Sequence, residues 1–134
     1  MAADRSWKAV GHRLINGTAT SALVGSAAIW HGEKPDPTIG WPAINFFRIP
    51  GQSLTHKGQR TSDLYQISCR AETPSAAENI GRAVQIEFQN LQDAIDGFDV
   101  DYAEVSLGGL IWEPEDAVYH VPCTLRIDYT SSEG

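Results

Sequence analysis

The sequence predicts an α+β fold: a single small domain in which a mixed, mainly antiparallel sheet is packed by one long helix and an N-terminal helix. Residues 63–71 and the closing segment VYHVPCTLRIDYT alternate apolar and polar side chains with the period of a strand. Between them, apolar side chains recur at helical spacing from Pro74 onwards. The chain has 134 residues, of which 42% are hydrophobic, and this is enough for one core. We therefore expect one domain over residues 1–134, with an ordered core from about 5 to about 130.

The N-terminal part predicts two helical segments and a short strand. A helix over residues 5–15 ends at Asn16-Gly17, and a second apolar turn over residues 21–24 ends at Gly25. The apolar side chains that share one face of the first helix are Trp7, Val10, Leu14 and Ile15. Residues 28–30 predict a short strand, and HGEKPDPTIG after it must be a loop because it holds two prolines and two glycines.

Two strands and a long loop follow. AINFFRI predicts a strand that Trp41-Pro42 opens, where a missing backbone N–H costs little, and that Pro50-Gly51 ends. Residues 51–62 are polar and longer than a tight hairpin needs, so they predict a long loop of the kind that is usually either functional or disordered. The strand over residues 63–71 directs four side chains to the core: Tyr65, Ile67, Cys69 and Ala71.

The junction Thr73-Pro74-Ser75 resembles a phosphate site in its strand–turn–helix order, but its chemistry argues against an anion. Such sites need glycines, whereas Pro74 removes a donor and Glu72 and Glu78 add negative charge. Pro74 as the first helical residue and a capping box over residues 75–78 explain the junction as a structural helix start. We expect the helix to end at Asp96-Gly97, with this buried stripe: Ala77, Ile80, Val84, Phe88, Leu91 and Ile95.

The C-terminal part predicts strands again. FDVDYAEVSL alternates, Gly108-Gly109 allows a bend before residues 110–112, and EPEDA is a turn. Pro122 in the last strand predicts an edge or a bulge, and His120 lies on the outer face without an assigned partner. The inward side chains of this strand are Tyr119, Val121, Cys123, Leu125, Ile127 and Tyr129.

The sequence contains no strong catalytic or metal-binding pattern. The four histidines form no close pair with metal-ligand spacing, and Cys69 and Cys123 are expected to be buried and reduced. His31-Gly32-Glu33 has no nucleophile partner, and Asp99 and Asp101 are most simply carboxylates on a solvated strand face. The chain also lacks a secretory signal and a membrane-spanning apolar run, so we expect an intracellular protein.

The charge of −7 is unevenly distributed. No Lys or Arg lies between Arg82 and Arg126, whereas nine acidic residues do. This half opposes binding to nucleic acid phosphates and favours a basic protein partner or another copy of the chain. In a ring, the basic loop over residues 51–62 of one subunit can meet the acidic face of the next. The predicted acidic face comprises Asp99, Asp101, Glu104, Glu113, Glu115 and Asp116.

Three tryptophans leave two interpretations open. Trp30, Trp41 and Trp112 lie at strand ends or in loops, outside any periodic stripe. Exposed tryptophans are favoured as anchors of interfaces, but each of these can equally close one end of the core.

Four motifs occur in a characteristic order: SALVGSAAIWHG, WPAINFFRIPG, DLYQISCRAETPSAAENIGRAVQIEF and VYHVPCTLRIDYT. In this order and spacing, from about Trp7 to Tyr129, the chain resembles the tail terminator or tail completion proteins of long-tailed bacteriophages and related gene-transfer particles. The most specific parts are ALVG before a short strand and the strand–T-P-S-x-A-x-x–helix junction.

The resemblance implies a hexameric ring on the head-proximal end of the tail tube, which stops tube polymerisation and presents a surface to the head. The implied partners are further copies of the chain, the tail tube protein and a head-completion or connector protein, with DNA passing through the lumen. It implies no catalysis, no cofactor, no membrane and no sequence-specific nucleic acid contact. The implied location is the tail or neck of the virion, after assembly in the host cytoplasm.

The resemblance also suggests contact residues. The loop over residues 51–62 occupies the position of a contact arm, so we expect these residues to contact a neighbouring subunit or the tube: Thr55, His56, Lys57 and Arg60. Two alternatives are another ring of the phage neck, such as a head-closure or joining protein, and a small monomeric enzyme or ligand-binding domain.

Overall fold

The computed structural model describes residues 6–32, 40–50, 54–55 and 61–131. Its helices are α1 (Trp7–Asn16), α2 (Thr18–Ser21) and α3 (Pro74–Phe88). Its strands are β1 (Ile29–His31), β2 (Ala43–Arg48), β3 (Leu54–Thr55), β4 (Thr61–Ala71), β5 (Asp93–Ile95), β6 (Phe98–Leu107), β7 (Ile111–Glu113) and β8 (Val118–Ser131). None of the helices within these ranges is long and apolar enough to span a membrane.

The eight strands form one sheet, in the order β1-β2-β4-β8-β6-β5, with β3 paired to β4 and β7 paired to β8. The β1–β2 pair is parallel and the other pairs are antiparallel. α3 packs on β4, β6 and β8, and α1 packs on β1 and β2. The predicted α+β fold, with a mainly antiparallel sheet packed by one long and one N-terminal helix, is confirmed.

The core lies between the helices and the inner face of the sheet. The four predicted inward side chains of β4 are buried, and so are those of β8 except the half-buried Tyr119. Cys69 and Cys123 are buried and reduced, as predicted. A hydrogen bond with Cys123, together with burial, raises the pKa of Cys69, so this thiol stays protonated and unreactive.

The long helix is shorter than the sequence predicts, and Asp96-Gly97 has a different role. Asn90, just beyond α3, has a φ of 62° and donates its backbone N–H to the Ala103 carbonyl at 3.0 Å. Asp96-Gly97 forms the two-residue turn of the β5–β6 hairpin, with φ values of 48° and 87°. Leu91 and Ile95 are buried as predicted, but they belong to a loop and to β5 and not to α3. Their spacing in the sequence continues that of the apolar residues of α3.

Thr73, not Ser75, caps α3. Thr73 has extended backbone angles, and its hydroxyl accepts the backbone N–H of Ala76 at 3.2 Å. Pro74 is the first helical residue, as predicted. The predicted capping box over residues 75–78 is wrong, because a proline at the first helical position places the cap one residue before it.

Replacing Thr73 by alanine is therefore expected to lower the free energy of unfolding by about 1 kcal/mol. Ser75→Ala serves as the matched control and should change it by less than about 0.5 kcal/mol. Urea denaturation followed by circular dichroism measures both values. A loss in Ser75→Ala as large as that in Thr73→Ala would contradict this cap assignment.

The predicted loop over residues 51–62 contains structure. Leu54 and Thr55 pair with Ser62 and Thr61, so β3 and β4 approach as a hairpin and β4 begins two residues earlier than predicted. Residues 33–39 of the other predicted loop lie outside the described residues.

β6 contains a bulge that its sequence alternation conceals. The register shifts between Val100, paired with Tyr129, and Tyr102, paired with Asp128, which makes Asp101 the extra residue. Because of the bulge, apolar side chains point inward both before and after residue 101, and these are Phe98, Val100, Ala103 and Val105.

Pro122 lies on a central strand and not at an edge. β6 and β7 pair with successive parts of the same side of β8. Residues 108–110 form a gap between these two strands, and within it Gly108 donates its backbone N–H to the Pro122 carbonyl at 2.7 Å. Since N and O of one residue project to the same side of a strand, the donor-free nitrogen of Pro122 faces this gap. A Cβ on Gly108 would lie 2.6 Å from the same carbonyl oxygen, so the close approach requires glycine.

Glu87 joins α3 to the N-terminal helices. Its Oε2 accepts the backbone N–H groups of Ala19 at 2.7 Å and Thr20 at 3.1 Å, and Arg13 Nε lies 3.6 Å from its Oε1. Glu87 thus satisfies the start of α2, which has no side-chain cap of its own. A Cβ on Gly17 would lie 2.2 Å from this carboxyl group, so a larger residue at the corner between α1 and α2 would displace the Glu87 carboxyl group.

Candidate interaction surface

An apolar ridge runs along the chain from the end of β6 into β7. Its four side chains are Leu107, Leu110, Ile111 and Trp112, which are 40%, 41%, 46% and 50% exposed. Single exposed hydrophobic side chains are ordinary, but four within six residues concentrate apolar surface along this edge of the sheet, which favours a protein–protein contact.

The β7 part of the ridge is held in place by β8. Trp112 lies opposite Tyr119 of β8, and the two rings are 4.8 Å apart with a tilt of 51°. Ile111 lies opposite His120 on the other face of the sheet. Strand pairing and the ring contact hold the exposed indole in place, so little conformational entropy is lost when a partner covers it.

An acidic turn follows the ridge and comprises Glu113, Pro114, Glu115 and Asp116. Glu115 and Asp116 are exposed, and Ala117 ends the turn with a φ of 55°. The turn and Trp112 line a recess of about 240 Å³. The ridge therefore ends in a cluster of negative charge.

Glu113 points back to the sheet and fixes the turn. Arg70 Nε donates to Glu113 Oε1 at 2.7 Å, and Arg70 Nη1 donates to Asn45 Oδ1 at 2.6 Å. His120 Nδ1 lies 3.3 Å from Glu113 Oε2. The four side chains come from β2, β4, β7 and β8, so the network ties the turn to four strands. His120, which the sequence left without a partner, is buried in this network.

The network sets the protonation of its members. Burial, the largest single effect, raises the pKa of Glu113, but Arg70 and His120 together outweigh it and the pKa is lowered. Burial and the charge of Arg70 lower the pKa of His120 below its ordinary 6.5, against the opposing effect of Glu113. His120 is therefore neutral at pH 7. Its buried Nε2 has no hydrogen-bond partner within the described part of the chain, which suits an unprotonated nitrogen.

This lowered pKa predicts a loss of stability in mild acid. The unfolded chain binds a proton at His120 more readily than the folded chain, so the stabilising contribution is complete only well above pH 6.5 and declines as the pH falls through 6.5 towards the lowered pKa of the folded chain. Relative to His120→Gln, the wild type should lose stability between about pH 7.5 and about pH 5.5, as measured by thermal unfolding. Using the difference between the two chains removes the contribution of His31, whose pKa burial also lowers. A difference that does not change with pH contradicts the assignment.

The predicted acidic residues lie in two places. Asp99, Asp101 and Glu104 are exposed along β6, and the other three form the acidic turn: Glu113, Glu115 and Asp116. On β6, Glu104 lies opposite Arg126 and accepts a hydrogen bond from the Tyr102 hydroxyl at 3.0 Å. The guanidinium of Arg126 reduces the negative charge beside Glu104, and that of Arg70 does the same beside Glu113. The exposed negative charge of the acidic turn therefore lies on Glu115 and Asp116.

The other predicted contact residues are described only in part. Thr55 pairs through its backbone with Thr61, and the three basic residues of the loop lie outside the described residues: His56, Lys57 and Arg60. Trp112 is half exposed on the ridge, whereas Trp30 and Trp41 are more deeply placed. The exposure of Trp112 favours the interface interpretation for this tryptophan.

Comparisons with known proteins give a likeness in structure. No family model matches the chain, and no curated protein matches it at a significant level. The chain is similar to one in a solved structure described as the virion of a native gene transfer agent (GTA) particle, with a TM-score of 0.74 and 13% sequence identity. The match covers 97% of this chain and 97% of that chain. The two chains therefore share one fold over nearly their whole lengths.

Proposed function

We propose that the protein is a structural component of a phage-like virion, which forms a ring on the head-proximal end of the tail tube. The ring ends tube polymerisation and provides the surface for joining to the head. The observation that carries this proposal is the supported apolar ridge, on a fold shared with a chain of a gene transfer agent virion. The role is one of assembly and not of catalysis.

A ring of identical copies requires two different surfaces on each copy, because a head-to-tail contact repeats around the axis. The ridge suits one of these surfaces, since interfaces gain most of their affinity from a few central aromatic and aliphatic side chains. The partners are further copies of the chain, the tail tube protein and a head-completion or connector protein. Negative charge around the lumen would let DNA pass without being held.

We assign the loop that contains Thr55, His56, Lys57 and Arg60 to contact with the tube or with a neighbouring subunit. Its support is the concentration of basic residues there, opposite in sign to the acidic C-terminal half. Changing Lys57 and Arg60 together to glutamate should abolish tube capping without altering the circular dichroism spectrum. Lys34→Glu, in the other predicted loop, is the matched control and should leave capping intact. Capping that persists in the double variant contradicts this assignment.

Light scattering tests the ring itself. Two samples are compared: the purified chain alone, and the chain mixed with the tail tube protein of the same particle. At least in the mixture, the chain should form a species of about six copies of 14.6 kDa. The mixture is decisive, because a ring can form on the tube alone. Monomer in both samples, even at high concentration, would overturn the proposal. Binding to the head connector without binding to the tube would indicate a head-closure ring.

A further inference from the structure

A groove of about 500 Å³ lies between α1 and β1, the edge strand of the sheet. Its floor is a stack of three rings: Trp7 lies 4.5 Å from His31, and His31 lies 5.3 Å from Phe46. Trp30 and Ile15 also line it. We call this surface the aromatic groove.

α1 shapes one wall of the groove. Gly11 is buried, and a Cβ at this position would lie 3.0 Å from the ring of Phe46, so the helix approaches the sheet closely here. Ile15, which the sequence predicts to face the core, is exposed and lines the groove instead. Together, Ile15 and the aromatic rings of the floor line an apolar recess. No side chain from the described residues fills it.

The groove has a basic rim. α1 contains Lys8, His12 and Arg13 and no acidic residue, and Lys8 and His12 line the groove while Arg13 is paired with Glu87. One carboxylate, that of Asp96, also lines the groove. The same polarity holds across the chain: nine of its ten Lys and Arg residues lie in residues 1–82, and eleven of its seventeen Asp and Glu residues lie beyond them.

We infer that the apolar ridge of one copy inserts into the aromatic groove of the next copy, with the acidic turn against Lys8 and His12. This inference rests on the proposed function, because it names the two surfaces through which the ring closes. A projecting indole with aliphatic neighbours matches an apolar recess of this size, and acidic and basic ends fix the direction of insertion. The ridge and the groove share no residue, as a head-to-tail contact requires.

Engineered cysteines test the contact directly. A chain with Lys8→Cys and Glu115→Cys should, after oxidation under ring-forming conditions, give a ladder of cross-linked species up to the hexamer on a non-reducing denaturing gel. Each variant with only one engineered cysteine should run as a monomer on the same gel. The native cysteines, Cys69 and Cys123, are fully buried and do not compete. The matched control pairs Lys8→Cys with the exposed Glu72→Cys and should give no ladder.

A charge exchange gives a second test. Lys8→Glu should weaken assembly by about tenfold, and adding Glu115→Lys to the same chain should restore most of the loss. A ring that forms without cross-links between residues 8 and 115, or with equal cross-links in the control pair, overturns this inference and leaves the proposed function standing. Wild-type chain that stays monomeric with the tube protein overturns both.

Discussion

An Asp63→Ala variant is expected to lose about 3–5 kcal/mol of its free energy of unfolding, a large share of the roughly 5–15 kcal/mol that a domain usually has. Asp63 is 0% exposed, and its Oδ2 accepts the hydroxyls of Ser6 and Tyr129, each at 2.6 Å. Tyr65 donates its hydroxyl to Ser6. Burial raises the pKa of Tyr65 and of Tyr129 well above the usual value, so both remain neutral donors. Alanine at this position would leave the buried hydroxyls of Ser6 and Tyr129 without their acceptor.

Two conservative variants separate this cluster from a general packing effect. Asp63→Asn keeps one carbonyl oxygen as an acceptor and should lose clearly less than Asp63→Ala. Tyr129→Phe removes one hydrogen bond and should cost about 1–2 kcal/mol. Urea denaturation followed by tryptophan fluorescence measures all three. A loss below about 1 kcal/mol in Asp63→Ala would show that the cluster does not hold the start of α1 on the sheet.

The second large effect is expected on assembly. Trp112→Ala should weaken association between copies by about 30-fold or more, because a central interface tryptophan typically contributes 2 kcal/mol or more. Folding stability should change by less than about 1 kcal/mol, since the indole is already half exposed.

Ile86→Ala is the matched control for this variant. Ile86 is 71% exposed on α3 and lies outside the ridge, so its removal deletes exposed apolar surface without touching the proposed contact. Sedimentation velocity over a concentration series compares the two variants with the wild type. Equal weakening in both variants, or ring formation by Trp112→Ala at wild-type concentrations, contradicts the role of the ridge.

The strand faces of β4 and β8 could be predicted because burial follows the two-residue period of a strand directly. Cys69 and Cys123 show this, since their alternation alone placed both of them in the core. The end of α3 could not be found in the same way. Leu91 and Ile95 continue the helical spacing although a loop and a strand bury them, and Asp96-Gly97 is equally suited to end a helix or to turn a hairpin.

The polar clusters depend on strand order, which the sequence does not contain. Arg70 is 43 residues from Glu113 along the chain, and it meets Glu113 and His120 because β4, β8 and β7 are neighbours. The available signal in the sequence was the presence of opposite charges at outward strand positions. It identifies which side chains interact only once the pairing of the strands is known. The capping of α2 by Glu87 was hidden for the same reason, since 67 residues separate Glu87 from Thr20.

For Trp112, the sequence left two interpretations of equal weight. Its half-exposed ring, held against Tyr119 within an apolar ridge, favours an interface. The acidic turn beside it supplies a direction for the proposed contact. The proposed ring therefore depends on the ridge more than on any other described surface.

Electron microscopy of tail tubes tests the ring most directly. Tube protein from the same particle should be polymerised with and without this chain, and with the Trp112→Ala variant as a comparison. We predict that the wild-type chain forms a ring of six copies at one end of each tube and stops elongation at that end. Tubes that keep elongating with no added density at either end would contradict the proposed function.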